Sequence, residues 1–202
     1  MKRNVSPKLL LTTKAIAYGA LSTAAVMVAT LLGFSSAQFY FNVGDAVILI
    51  VSALFGPFIG MIAGGLGSFL ADLAVYPATM LFTLVIKGIE GLLAGTLLYI
   101  IRKKVTSQKG TYILSFFALA IPAYCMMAGY FLCQSLFYGT YASAIVALPA
   151  DAVQASISFI LAFVALFPAK LIRFREKVAF DIFEKKIEKD SDKDSSDTLS
   201  EK

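Results

Sequence analysis

The chain of 202 residues is 58% hydrophobic and only 15% charged, with a formal net charge of +5. That balance excludes an ordinary soluble domain and predicts an all-α, polytopic membrane protein. Nucleic acid is excluded as a partner: the basic residues sit at the edges of apolar tracts, where they act as topology determinants beside a lipid bilayer, and acidic residues answer them in the tail.

Tracts long enough to span run over about Leu9 to Gly33, Gly44 to Leu54, Phe58 to Val75, Thr79 to Ile101, Thr111 to Leu136 and Ala144 to Ile172. The second falls short of the usual length of about 20 residues, so the hairpin that it forms with the third is expected to be short or tilted. Lys2, Arg3, Lys8 and Lys14 precede the first tract, Arg102, Lys103, Lys104 and Lys109 follow the fourth, and Lys170, Arg173, Arg175 and Lys177 follow the sixth. The opposite loops, Phe34 to Phe41, Val75 to Ala78 and Phe137 to Ser143, carry no Lys or Arg. The positive-inside rule then places both termini in the cytoplasm with six transmembrane helices. Residues 1–175 form the transmembrane domain, and 176–202, rich in Ser, Asp and Lys, a partly disordered cytosolic tail.

A basic region leading into the first apolar run, with Ser35-Ser36-Ala37 behind it, has the outline of a secretory signal. The run exceeds the usual 7 to 15 residues, and its removal would leave an odd number of spans, so it is expected to be retained. Ala17, Ala20 and Ala24 share one face of this helix, and Ala20-x-x-x-Ala24 is a spacing that admits close approach by another helix, in this chain or in a partner. The uncharged loop after it, Phe34 to Phe41, carries aromatic residues suited either to the membrane interface or to a lid.

The stretch from Asn42 to Gly95 sets four ionisable side chains in membrane-grade apolar sequence. Phe55-Gly56-Pro57 is a tight turn, and Asp45 and Asp72 fall at the outer ends of the hairpin it closes. For Asp45 the positive end of the helix that it begins is preferred to ligand contact, whereas Asp72, near a helix C-terminus, opposes the dipole and calls for another reason. Lys87 and Glu90, three apart, lie on one face where an unpaired ion costs about 2.5 to 3.5 kcal/mol. Two readings stand for them: a self-neutralising pair, or ligand contacts at the end of a stripe begun by Thr79 and Thr83. Gln134 on the fifth helix and Tyr138 just beyond it, then Asp151 and Gln154 three apart on the sixth, with Pro149 in its first turn, add polar groups at a similar level. Asp72, Lys87, Glu90, Gln134, Asp151 and Gln154 with apolar walls, capped by Tyr40 and Tyr76, suit a small polar heterocycle.

The order NxGD from Asn42, LFGPxxGxxAGGxGSxLAD from Leu54, Tyr76-Pro77, then KGxEGxxxG from Lys87 resembles the S components of energy-coupling factor (ECF) transporters, the membrane subunits that capture vitamins for an ATP-driven importer of the ABC type. The resemblance covers about residues 10 to 172 and is nearest the riboflavin-type branch, which includes carriers assigned to pyridoxine and pyrimidine precursors. It implies a vitamin-like ligand, a membrane-embedded coupling (T) subunit, two ABC ATPases and a location in the bacterial plasma membrane. It also implies lids from the first loop and the loop at Tyr76, substrate contacts from Asn42 and from the segment of Asp151 and Gln154, and a coupling face on Ala20 and Ala24. The family often has a PxNxxQ-like segment where this chain has Pro149, Asp151 and Gln154, and the aspartate suits either a basic group on the ligand or a salt bridge to Lys87.

No cofactor is expected in this chain, since it lacks a G-x-x-x-x-G-K-[ST] phosphate loop and ATP would be used by partner subunits. Histidine is absent, which removes His-dependent proteases and metal sites, and Cys125 and Cys133 in one apolar tract read as small core hydrophobes. An intramembrane diaspartyl enzyme would rest on Asp72 and Asp151 alone. A stand-alone proton-coupled carrier using Glu90 or Asp151 lacks evident inverted repeats. The mixed acid and base set without Trp favours pyridoxine or hydroxymethylpyrimidine over riboflavin as cargo.

Overall fold

The computed structural model describes residues 7–35, 40–137 and 141–172. Within them the order is α1 (Pro7–Leu31), β1 (Phe34–Ser35), β2 (Tyr40–Phe41), α2 (Gly44–Phe55), α3 (Pro57–Val75), α4 (Met80–Lys104), α5 (Gln108–Phe137) and α6 (Tyr141–Leu166). Five of the helices are long and apolar enough to cross a membrane. The sixth, α2, has 12 residues, about 18 Å at 1.5 Å per residue, too short for a bilayer core of about 30 Å. The expected tail, 176–202, lies outside the described residues.

The short helix is the axis of the bundle. Apolar apart from Asp45 and Ser52, it buries Ile48, Leu49, Val51, Ala53 and Leu54, and none of its residues is exposed. One core forms where Leu49 and Ala53 meet Leu98 of α4, Leu119 and Met126 of α5, and Phe159 and Leu166 of α6. A second forms where Ile48 and Val51 meet Val26 of α1 and Ile59 and Ala63 of α3. The outward faces of the long helices are apolar instead: Ile16, Leu81, Ile113, Leu132 and Val146 are each more than half exposed, as hydrocarbon contact requires.

The turn between α2 and α3 is a single residue, Gly56, at φ 90° and ψ 178°, a region open only to glycine, and Pro57 starts α3 with its φ already set. Glycine also draws α3 and α4 into their close contact. A Cβ on Gly64 would stand 2.6 Å from the Lys87 carbonyl oxygen, and one on Gly95 would stand 2.5 Å from Pro57 Cα. Backbones at that separation fix α4 in depth and rotation, which turns Lys87 and Glu90 inward toward α2.

One expectation requires correction. The sixth helix begins at Tyr141, so Pro149 sits inside it and not in its first turn. Membrane helices tolerate an interior proline when neighbouring groups satisfy the freed carbonyl, and Pro122 is another case within α5. Within the first loop, Phe34 pairs with Phe41 and Ser35 with Tyr40 in a two-residue antiparallel ladder.

Candidate functional site

The site grows from the start of α2. Asn42 Oδ1 accepts the Gly44 N–H at 2.8 Å, an Asx turn that begins the helix and delivers Asp45 into its first turn. A side chain on Gly44 would crowd Asn42 Oδ1 at 2.7 Å and Thr30 Cβ at 3.3 Å, so the turn seats against α1 only with glycine there. Asp45 is thereby fully buried and faces the bundle interior.

Lys87 of α4, 4% exposed, meets it there, and its ammonium donates a short hydrogen bond to Asp45 Oδ1. Glu90 Oε2 stands 3.5 Å from the same ammonium. The second Asp45 oxygen accepts from Gln154 Nε2 of α6 at 2.8 Å, while Gln154 Oε1 accepts the Asn42 N–H at 3.2 Å. One cation and one carboxamide thus tie α2, α4, α6 and the end of β2 together. Both donors and acceptors are used, as burial in a low-dielectric bundle demands.

A second leg leads outward along α4. The Lys87 ammonium lies 5.4 Å from the centroid of the Tyr130 ring on α5, within cation–π range. The Tyr130 hydroxyl donates to Thr83 Oγ1 at 3.1 Å, and Thr83 donates to Asp72 Oδ2 at 2.5 Å. Thr79 adds a 3.2 Å bond to the same carboxylate oxygen. Asp72, which opposed its own helix dipole, is therefore stabilised by threonine donors from the next helix.

Glu90 is different in kind. It is fully buried, and neither of its carboxylate oxygens has a hydrogen-bond partner, the Lys87 ion pair being its one charged contact among the described residues. A buried acceptor left unsatisfied costs about 1–3 kcal/mol, more when charged, and marks a position where an incoming donor would be stabilised.

The structure brings together Asn42, Lys87, Glu90 and Gln154, and it links Asp72 to them through Thr83 and Tyr130. Asp151 lies on α6 one turn before Gln154, half-buried, and the described ion pairs of Lys87 go to Asp45 and Glu90, which removes the expected alternative of an Asp151–Lys87 bridge. Gln134, on α5 one turn beyond Tyr130, is half-buried and joins neither leg by a hydrogen bond. Tyr76 is 59% exposed at the end of α3, with its N–H bonded to the Asp72 carbonyl at 2.7 Å. Tyr40 is placed by its backbone in β2, and Tyr138 lies outside the described residues. Ala17, Ala20 and Ala24 are exposed, while α1 turns Val26 and Ala29 toward its neighbours.

Sequence reasoning assigned Asp45 to the helix dipole and placed Thr83 on a stripe leading to the site, without joining either to Lys87. The structure makes Asp45 the centre of that site. A signal was present: an intramembrane lysine needs a counter-charge at its own depth, and Asp45 in the Asn42–Asp45 motif was one of few available. No cluster of three His, Cys, Asp or Glu side chains able to hold a metal ion exists among the described residues.

Comparison with known proteins agrees with this architecture. A sequence-family model described as "ECF-type riboflavin transporter, S component" matches residues 10–171. The fold is shared with ThiT from Listeria monocytogenes at a TM-score of 0.60 and 15% identity, over 80% of this chain and 97% of that one. A protein of Pyrococcus woesei, "Uncharacterized protein in gap 3'region", is 51% identical over 74 residues, 35% of this chain. The chain spans about half (50%) of the length of that curated relative.

Proposed function

We propose a function that starts from family: the chain belongs to the ECF-type riboflavin transporter S component family, whose members are transport subunits of the membrane and not enzymes. In our reading it captures a B vitamin or vitamin precursor from outside and hands it inward while docked on a coupling subunit driven by two ABC ATPases. Both termini face the cytoplasm, as the basic ends of the helices favour. The observation that carries this reading is the buried set Asp45, Lys87, Glu90 and Gln154, contributed by three helices at one level of a membrane bundle. Ionisable groups at such depth mark substrate pathways, and apolar walls with a few convergent polar groups are how a small polar ligand is held.

The cargo that fits this set best is a small ring carrying both donors and acceptors, such as pyridoxine or hydroxymethylpyrimidine. Glu90 supplies an unsatisfied acceptor, Lys87 a donor, and Tyr130 a ring face beside them. Riboflavin is the second reading, favoured by the description of the family itself.

Calorimetry of the purified solitary protein in detergent, with pyridoxine, hydroxymethylpyrimidine, riboflavin, thiamine and folate, tests this. Saturable tight binding of one compound is expected and names the cargo. Silence across the panel in folded protein, together with transport by the chain reconstituted alone, would replace the reading with that of an independent carrier.

A further inference from the structure

A cavity of about 440 Å³ opens at the far end of the bundle from the Asp45 site, where the end of α4, the start of α5 and the turn after α6 meet. Its polar wall is Arg102, Thr106, Gln108, Thr111 and Ser115, and among the described residues no acidic side chain lines it. The four Asp and Glu of the described residues, Asp45, Asp72, Glu90 and Asp151, all belong to the other site or its neighbourhood. Leu49, Leu98, Leu119 and Met126 form a dry core between the two.

Arg102 has a structural duty that accounts for half of its head group. Its Nη1 donates to the Ala53 carbonyl at 3.2 Å, one of the free carbonyls at the C-terminus of α2, where a cation also suits the dipole. Its Nη2 is buried and has no hydrogen-bond partner. A capping role leaves that nitrogen unexplained, and a planar guanidinium with one edge unused is shaped for an oxyanion. Thr106, Gln108 and Ser115 bring hydroxyl and amide donors to the same cavity, and α5 presents its N-terminal turn there. Leu98 and Phe167 make the remaining wall apolar.

We propose that this cavity is a binding site for a phosphate group, with an anionic phospholipid of the adjoining leaflet as its source. Depth in the bundle places the cavity at the end of the membrane spans, and its mixed wall matches a headgroup whose phosphate joins a glycerol and acyl chains; basic pockets between membrane helices bind lipid headgroups in this way. The assignment needs only that the bundle lies in a membrane, and it is independent of the vitamin reading.

The test is calorimetric, on the full chain in an uncharged detergent, with dihexanoylphosphatidylglycerol, dihexanoylglycerol and inorganic phosphate as separate probes. The phosphatidylglycerol is expected to bind saturably and the phosphate-free dihexanoylglycerol not to bind. Arg102→Gln, and Thr106→Glu at the exposed rim, are each expected to weaken that binding about ten-fold or more, while Lys104→Gln, an equal change in net charge off the cavity, stays within about two-fold. Thr106→Glu keeps the test decisive if loss of the α2 cap unfolds Arg102→Gln. Inorganic phosphate binding with the same dependence, without lipid binding, would keep the phosphate site and overturn the lipid source. Equal losses for Thr106→Glu and Lys104→Gln, or no loss in either cavity variant, would overturn the proposal. Vitamin binding measured on the same samples is expected to be unchanged, so failure here and failure of the transport reading are told apart.

Discussion

Lys87 is ion-paired with two carboxylates that do different work, and their substitutions separate the roles. Asp45→Ala removes the hydrogen-bond acceptor of Lys87 and of Gln154 Nε2, leaving the amide unsatisfied and the ammonium with the Glu90 ion pair alone. We expect a loss of about 3 kcal/mol in stability, read as a lower unfolding midpoint in detergent. Glu90→Gln keeps shape and removes a carboxylate whose oxygens accept no hydrogen bond, so stability is expected to stay within about 1 kcal/mol while affinity for the cargo falls about ten-fold. Equal destabilisation by both variants would make Glu90 a structural counter-ion and take it out of the ligand site. The sequence revealed Lys87 and Glu90 because a charge in an apolar run is conspicuous by itself. It concealed Asp45 because a helix N-terminus already justified a carboxylate there, and because its partners lie 42 and 109 positions away.

At the scale of the helix, glycine placement decides whether those side chains meet. Gly64 has the Lys87 carbonyl oxygen where its Cβ would be, at 2.6 Å, whereas Gly19 on α1 has nothing within 4 Å. Gly64→Ala must push α3 off α4 and is expected to cost about 1–3 kcal/mol, with weaker cargo binding as Lys87 shifts. Gly19→Ala is expected to be neutral or stabilising by up to about 1 kcal/mol, since only helix propensity changes. Thermal unfolding of the two variants side by side checks the contrast, and equal effects would mean that the α3–α4 contact yields without consequence. The hairpin at Gly56-Pro57 was legible because its turn chemistry is local. The start of α6 was not: proline favours a first turn in an isolated helix, but here the bundle carries the helix through Pro149 from Tyr141. Pairing of β1 with β2 was equally hidden, since a ladder of two residues leaves no periodicity to read.

For the whole molecule, the question is which face meets another protein. The α1 helix is held to the bundle by Val26, packed with Ile48 and Ile59, and by Tyr18, stacked on Phe55 at 5.1 Å between ring centroids. Ala17, Ala20 and Ala24 point away from that contact and are exposed, so their small size does not serve packing within this chain. Lipid tails fill any shape and place no demand for alanine, whereas a partner helix approaching to backbone distance does. Ala20→Leu and Ala24→Leu are therefore expected to leave cargo affinity and unfolding midpoint within about two-fold and about 0.5 kcal/mol of the parent, because neither touches the site or the core. Uptake by cells supplying the coupling subunit and ATPases is expected to fall to background, and co-purification of those subunits with it. Uptake at the parent level in both variants would move the coupling face to another helix. Loss of affinity in step with uptake would instead show that α1 transmits to the Asp45 site, through Thr30 beside Gly44.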